Sequence, residues 1–154
     1  MSLAIPVRET MVAVGTLLRN ARDPWWIVTG GAAALHGAVP ISVSDIDVML
    51  SVRDAKDLFS EIGITQAPPS THPRFRSEVF GQWKENPLVV EFMADFTLRD
   101  LDGVWRPMLP TTRQSFTIAD TTVYVPELTE LRGMFRRLGR PKDQARIALI
   151  DKII

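Results

Sequence analysis

Two aspartates in a short, β-prone segment are the residues of this sequence best suited to chemistry. Asp45 and Asp47 stand two positions apart in the segment 44–50, where polar and apolar residues alternate. Alternate residues of a strand project from the same face, so the two carboxylates are expected side by side. A divalent cation relieves their repulsion, and Mg²⁺ suits carboxylates combined with phosphate oxygens. The pattern predicts a Mg²⁺ site; two incidental acids on a solvated strand face are the alternative.

A third acid interrupts another apolar segment. Glu91 lies within Leu88–Phe92, where burial of an unpaired charge would be costly. A third carboxylate of the same metal site explains this position, and so does an ion pair with one of the many arginines. Asp95, four residues later, competes with Glu91 for the role of third acid.

A glycine pair is the third candidate feature. Gly30 and Gly31 follow the β-prone run Trp25–Thr29 and precede small residues typical of a tightly packed helix. Glycines at this place let phosphate oxygens approach the backbone amides and the positive end of the helix. The pair therefore predicts a phosphate-binding turn, and a tight turn with close helix–sheet packing is the alternative.

In order along the chain, the glycine pair, the Asp-Ile-Asp strand and the later acid resemble the nucleotidyltransferase superfamily of the DNA polymerase β type. More narrowly, Gly30–Ala33, His36–Gly37 and Ser44–Val48 look like the small bacterial and archaeal nucleotidyltransferase-like proteins that include abortive-infection-type toxins. Their closing segment is matched by Gly139–Asp143. The resemblance covers roughly residues 26–143, most of the chain.

The resemblance implies transfer of a nucleoside monophosphate from a nucleoside triphosphate to a hydroxyl acceptor. It implies two Mg²⁺ ions, a tRNA or protein acceptor, and a toxin-type module paired with an antitoxin. Asp45 and Asp47 would bind Mg²⁺, and Glu91 would share the metal and help activate the acceptor hydroxyl. Nucleotide contacts are implied for a further set of residues: Gly30, Gly31, Ser44, Arg136 and Arg140.

Two positions depart from the resembling proteins. Ile41 and Phe135 stand where relatives often carry an arginine and a lysine that face the nucleotide or the cleft. A second hypothesis is therefore a catalytically degenerate protein that keeps the fold as a binding or regulatory partner. A third is a small interaction domain whose acids are surface residues.

Basic residues are concentrated near the end of a chain that has no net charge. Eighteen Lys and Arg balance eighteen Asp and Glu, so no overall positive field favours nucleic acid. Between positions 131 and 152, however, there are seven basic residues and only two acidic ones. This excess predicts salt-dependent nucleotide or RNA binding through Arg136, Arg137 and Arg140, with a solvated basic face as the alternative.

The remaining composition excludes several classes of protein. With no cysteine and two histidines, neither a disulfide framework nor a Cys/His zinc site is available. No apolar run approaches the length of a membrane-spanning helix. We therefore expect a cytoplasmic protein without a membrane partner. A length of 154 residues suits one domain, 1–154, with a core over about 24–125 and closing helices over about 126–154.

The periodicity along the chain predicts the elements that position these residues. Strands alternating with helices, then a hairpin, then closing helices indicate an α/β (α+β) fold with a mixed sheet flanked by helices. Helices are predicted over 6–21, 32–36, 51–62, 126–138 and 141–153, and strands over 25–29, 44–50, 75–83, 87–92, 114–118 and 121–125.

Overall fold

A mixed β-sheet forms the centre of the protein, which the computed structural model describes over residues 3–154. Its helices are α1 (Ile5–Leu17), α2 (Thr29–Leu35), α3 (Val52–Ile62), α4 (Leu128–Leu138) and α5 (Pro141–Asp151). Its strands are β1 (Trp26–Val28), β2 (Asp45–Leu50), β3 (Phe75–Trp83), β4 (Val89–Arg99), β5 (Trp105–Pro107), β6 (Gln114–Ile118) and β7 (Thr121–Val125).

The order of the main sheet is β1-β2-β4-β3, and β5 adds to the far part of β4. Strands β2 and β4 are parallel, whereas β1 pairs with β2 and β3 pairs with β4 in the antiparallel sense. Strands β6 and β7 form a separate hairpin. The structure confirms the predicted α/β (α+β) class, with a mixed sheet flanked by helices.

The two faces of the sheet differ in what covers them. Ile46, Val48, Val90 and Phe92 are fully buried on one face, where α1 and α3 pack. The Phe92 ring lies 6.1 Å from the ring of Phe59 in α3, centroid to centroid. Each such side chain contributes about 1.5–3 kcal/mol through burial. The core therefore takes one face, and the alternate residues of β2 and β4 are left for a site on the other.

Capping residues stand at the start of α3 and at the ends of α3 and α4. The Ser51 hydroxyl accepts a hydrogen bond from the Asp54 amide at 3.1 Å, which caps α3. Gly63 and Gly139 end α3 and α4 in the left-handed conformation, with φ of 75° and 66°, which a residue without Cβ adopts at no steric cost. Among residues 3–154, no helix has the length and apolar character needed to cross a membrane.

Several predicted boundaries are wrong. Helix α1 ends at Leu17 rather than at residue 21, and α4 begins at Leu128 rather than at Pro126. Strand β4 continues past Phe92 to Arg99, and β5 is an additional strand. The strand continues through Asp95, where a left-handed backbone, with φ of 54°, marks an irregularity in β4 and not its end.

Candidate active site

Three carboxylates meet on the open face of the sheet. Asp45 and Asp47 project from β2, and Glu91 projects from β4, where it is the register partner of Asp47. One oxygen of each side chain lies within 4.8 Å of the others. Three hard oxygen donors at this separation fit Mg²⁺, which favours carboxylates and completes its shell with water and phosphate. The structure thus brings together the three acids that strand periodicity placed on one face.

Asp95, the rival third acid, lies elsewhere. Its side chain is exposed, and it is not part of the three-carboxylate cluster. The left-handed backbone at Asp95 interrupts the alternation of β4, so that Met93 and then Phe96 line the same cleft as Glu91. Between the two candidates, the geometry favours Glu91.

Burial and crowding raise the pKa of two of these acids, Asp47 and Glu91. Burial raises the pKa of Asp47, and the nearby charge of Asp45 raises it further, while the Thr29 hydroxyl and the charges of Lys142 and Arg146 oppose the change. Burial, together with the charges of Asp47 and Asp45, raises the pKa of Glu91 from 4.5 to about 7. The site therefore favours positive charge, as a cation-binding cluster should.

A pH-dependent stability follows for the metal-free protein. Below pH 4.5 Glu91 is protonated in both the folded and the unfolded chain. Between pH 4.5 and about 7 the unfolded chain releases this proton before the folded chain does, so rising pH favours unfolding. We expect the free energy of unfolding in chelator to fall by about 1–2 kcal/mol across this range, after solvent screening of the half-open site.

Denaturant titrations at pH 5, 6, 7 and 8 measure this change. Glu91→Gln should flatten the profile, and Mg²⁺ at pH 8 should restore stability to the parent protein. A parent profile that rises from pH 5 to pH 7 in chelator would contradict the expected repulsion among the three acids.

Thr29, at the start of α2, holds Asp47 in place. Its hydroxyl donates a hydrogen bond of 2.6 Å to Asp47 Oδ2. Its φ is 55°, a left-handed value that a β-branched residue rarely adopts. Such strain costs on the order of 1–3 kcal/mol and persists where the surrounding structure imposes it. Thr29 could not be identified from the sequence, because neither its type nor its position before the glycines indicates a carboxylate partner.

Replacing Thr29 by Val should weaken Mg²⁺ binding about tenfold, since groups that orient metal ligands typically contribute 10–100-fold in affinity. Valine keeps the branched Cβ but cannot donate to Asp47. Thr29→Ser keeps the hydroxyl and should bind Mg²⁺ like the parent. Calorimetric titration with Mg²⁺ measures both variants, and equal affinities for Ser and Val would show that the hydroxyl is immaterial.

The two glycines of the predicted phosphate turn lie in the first turn of α2 and face different neighbours. A Cβ on Gly30 would stand 2.7 Å from Nη2 of Arg146, so this glycine makes room for a guanidinium at the cleft. A Cβ on Gly31 would meet the core side chains of Ile27, Met11 and Ile46. Gly30 lines the cleft, whereas Gly31 serves close helix–sheet packing.

Positive charge at the cleft comes mainly from α5 and its N-cap. Arg140, Lys142 and Arg146 line the cleft. Arg140 donates to the fully buried Asp143 carboxylate through Nε at 2.6 Å, and Arg146 Nη1 lies 3.9 Å from Asp143. Lys142 and Arg146 belong to the basic segment 131–152, whose net charge does not single them out; their i,i+4 spacing on one helix is the available signal.

Arg136 and Arg137 do not line this cleft. Arg136 is exposed on α4. Arg137 instead donates to the Asp100 carboxylate, at 2.9 Å from Nε, and to the Pro107 carbonyl. The structure therefore does not bring Arg136 to the acids, and it gives Arg137 a structural ion pair.

The cleft around these residues has a volume of about 810 Å³. Its polar end holds the three acids with Thr29, Gly30, Ser44 and the cations of α5. A volume of this size is typical of sites for small molecules and cofactors. The arrangement of paired carboxylates opposite lysine and arginine can bind a divalent cation together with a polyphosphate.

Comparison with proteins of known structure identifies the type of fold. No family model and no curated protein matches the sequence. Among solved structures, a protein of Thermotoga maritima assigned as a nucleotidyltransferase superposes with a TM-score of 0.71 at 21% identity, over 90% of this chain and 88% of that one. The chain has a nucleotidyltransferase-like fold. This confirms the resemblance seen in the sequence at the level of the fold.

Two further structures share the nucleotidyltransferase-like fold. An antigenic nucleotidyltransferase-like protein of Paracoccidioides brasiliensis has a TM-score of 0.54 at 12% identity, over 96% of this chain and 76% of that one. The lincosamide antibiotic adenylyltransferase LnuA, in its lincomycin-bound form, has a TM-score of 0.57 at 12% identity, over 92% of this chain and 94% of that one.

The two departures from the resembling proteins have different surroundings. Ile41 is half-buried and packs against the core. Phe135 is fully buried, and the guanidinium of Arg146 lies 5.6 Å from the centre of its ring. The cationic group beside position 135 is thus supplied from α5 rather than by the residue at that position.

Proposed function

We propose that this protein is a Mg²⁺-dependent nucleotidyltransferase that moves a nucleoside monophosphate from a nucleoside triphosphate to a hydroxyl acceptor. The observation that carries the proposal is the meeting of Asp45, Asp47 and Glu91 within 4.8 Å, in a cleft that Lys142 and Arg146 also line. The nucleotidyltransferase-like fold supports it independently.

Each residue has a distinct part in the proposed reaction. Asp45 and Asp47 would hold Mg²⁺, with Thr29 fixing the orientation of the Asp47 carboxylate. Arg146, Lys142 and the backbone at Gly30 bind the phosphates that leave as pyrophosphate. Glu91 accepts the proton of the attacking hydroxyl. When bound, the metal would neutralise charge on the phosphates and lower the pKa of the acceptor hydroxyl.

A nucleotide-dependent stability measurement tests the proposal. Each of the four ribonucleoside triphosphates is added with and without Mg²⁺, and the melting temperature is followed. A ligand at 100 times its dissociation constant stabilises by about 2.7 kcal/mol. We expect stabilisation by at least one triphosphate that requires Mg²⁺ and is lost in Asp47→Asn. No stabilisation by any triphosphate would overturn the proposal and favour the catalytically degenerate alternative.

The position of Arg146 supports a catalytic protein over the catalytically degenerate alternative. A degenerate protein would have lost the cations that grip phosphate, yet Arg146 places a guanidinium against Gly30 and beside Phe135. We also propose that the protein is a cytoplasmic toxin-type module with an antitoxin partner. Only the sequence resemblance supports this part of the proposal.

A further inference from the structure

On the open face of the sheet, a row of acidic side chains is followed directly by a row of apolar side chains. Asp47 and Glu91 are register partners, and so are Met49 and Met93, two positions farther along β2 and β4. On β3, Phe80 pairs with Met93 and extends the second row. Because a strand rises about 3.3 Å per residue, the apolar row begins only about 7 Å from the acids.

More apolar side chains continue this row into a pocket, which we call the apolar end of the cleft. Its apolar lining comprises Met49, Met93, Phe96, Phe75, Met108 and Leu138, and the polar side chains of Arg76, Ser77, Glu78 and His72 border the same cleft. The rings of Phe75 and Phe96 lie 5.8 Å apart, centroid to centroid. Neither catalysis of phosphate transfer nor metal binding requires such a lining.

A segment between α3 and β3 walls this end. In residues 66–74, which we call the strap, Gln66 and Ala67 donate to the carbonyls of Glu78 and Phe80 on β3. At its other end, Arg74 donates to the Leu138 carbonyl at 2.6 Å and to the Arg137 carbonyl. The strap is fastened to β3 at one end and to the end of α4 at the other, so the apolar end is bounded on this side.

The proposed reaction has two substrates, the triphosphate and the acceptor, and its geometry indicates that the acceptor lies next to this pocket. Displacement at the α-phosphorus is in line, so the acceptor approaches opposite the departing pyrophosphate. The phosphate-binding groups Gly30 and Arg146 lie beside one another at the polar end. A hydroxyl that gives its proton to Glu91 lies next to Met93, which is two residues along the same face of β4.

We propose that the acceptor is a small molecule with an apolar, ring-containing body and one hydroxyl group, seated in the apolar end of the cleft. This rests on the proposed function. The hydroxyl oxygen forms a bond to the α-phosphorus, the bond from that phosphorus to the bridging oxygen breaks, and pyrophosphate leaves with the electron pair. The hydroxyl proton passes to the Glu91 carboxylate. An RNA or protein acceptor fits less well, because the strap bounds the pocket on one side and the side chains next to the acids, Met49 and Met93, are apolar.

Methionine-methyl NMR tests the pocket without requiring catalysis. With ¹³C-methyl methionine, neutral ring alcohols such as cyclohexanol and 2-naphthol are titrated into the protein, and ribonucleosides are titrated in parallel. We expect the ring alcohols to shift the methyl signals of Met49, Met93 and Met108, which line the cleft, while those of Met11 and Met134, which do not line it, stay in place.

Variants separate the acceptor pocket from the nucleotide site. Met93→Gln, similar in length but polar, should bind ring alcohols at least tenfold more weakly and still be stabilised by Mg²⁺ with triphosphates. Met93→Leu should bind the alcohols like the parent. Because none of these alcohol titrations needs nucleotide, they report on the pocket even if no triphosphate stabilises the protein.

Two results would overturn the inference. In the first, the ring alcohols leave all three methyl signals unmoved up to their solubility. In the second, ribonucleosides move the signals and the alcohols do not, which would assign the pocket to the nucleobase. Equal affinity of the alcohols for Met93→Gln and the parent would likewise place their binding elsewhere.

Discussion

Replacing Asp47 by Asn is expected to lower the rate of nucleotide transfer on the order of 10³-fold, equivalent to about 4 kcal/mol in the activation barrier. Asp47 is central to the three-carboxylate cluster, being two residues from Asp45 and the register partner of Glu91. Asparagine keeps the shape and can still accept from Thr29, but it removes the charge that holds Mg²⁺. Release of pyrophosphate from triphosphate and acceptor, followed over time, measures the rate.

Folding must be separated from chemistry in this experiment. Since burial and the neighbouring Asp45 raise the pKa of Asp47, removing its charge relieves repulsion in metal-free buffer. The melting temperature of Asp47→Asn in chelator should therefore equal or exceed that of the parent. A clear decrease would show instead that Asp47 has a structural role in the fold.

Asp95→Asn is the matched control. Asp95 is exposed, lies on the same strand as Glu91, and has a left-handed backbone, which asparagine tolerates well. Its replacement should change the rate by less than about twofold, in keeping with a surface position. If Asp95→Asn abolished transfer and Glu91→Gln did not, the assignment of the third acid would be reversed.

The acidic cluster could be predicted from the sequence because strand alternation is a local property. Once 44–50 is a strand, Asp45 and Asp47 share a face whatever the rest of the chain does. The same holds for Ser51 and Gly139, whose roles at helix ends depend on a few neighbouring residues. The cost of an acid in an apolar run made Glu91 a candidate but left Asp95 as its rival, and only the pairing of β2 with β4 brings Glu91 to Asp47.

The partners of these acids could not be predicted, because they depend on contacts between distant parts of the chain. Thr29 reaches Asp47 because β1 pairs with β2 and the backbone turns sharply after Val28. Net charge along α4 and α5 indicated a basic surface but not which residues face the cleft. Which residues face the cleft depends on how each helix is rotated against the sheet. In the structure Lys142 and Arg146 line the cleft and Arg136 does not.

The largest effect on nucleotide affinity should come from the cations of α5. Lys142→Ala combined with Arg146→Met is expected to weaken Mg²⁺-dependent triphosphate binding by at least about 100-fold, since each charge-assisted contact contributes about 1.5–3 kcal/mol when formed. Both side chains line the cleft with the three acids, and Arg146 lies against Gly30. Calorimetric titration at two salt concentrations measures the loss, which should also reduce the dependence of affinity on salt.

Arg136→Ala supplies the control, because Arg136 is an exposed arginine of the same basic segment that lies outside the cleft. Its affinity should match that of the parent. Joint replacement of Arg136, Arg137 and Arg140 is less informative, because Arg137 pairs with Asp100 and Arg140 donates two side-chain hydrogen bonds to the fully buried Asp143, which Arg146 approaches only to 3.9 Å. Leaving a buried carboxylate without its partner destabilises the fold by several kcal/mol, roughly 3–5. Should Arg136→Ala weaken binding as much as the α5 double variant does, the triphosphate would lie along α4 rather than in the cleft.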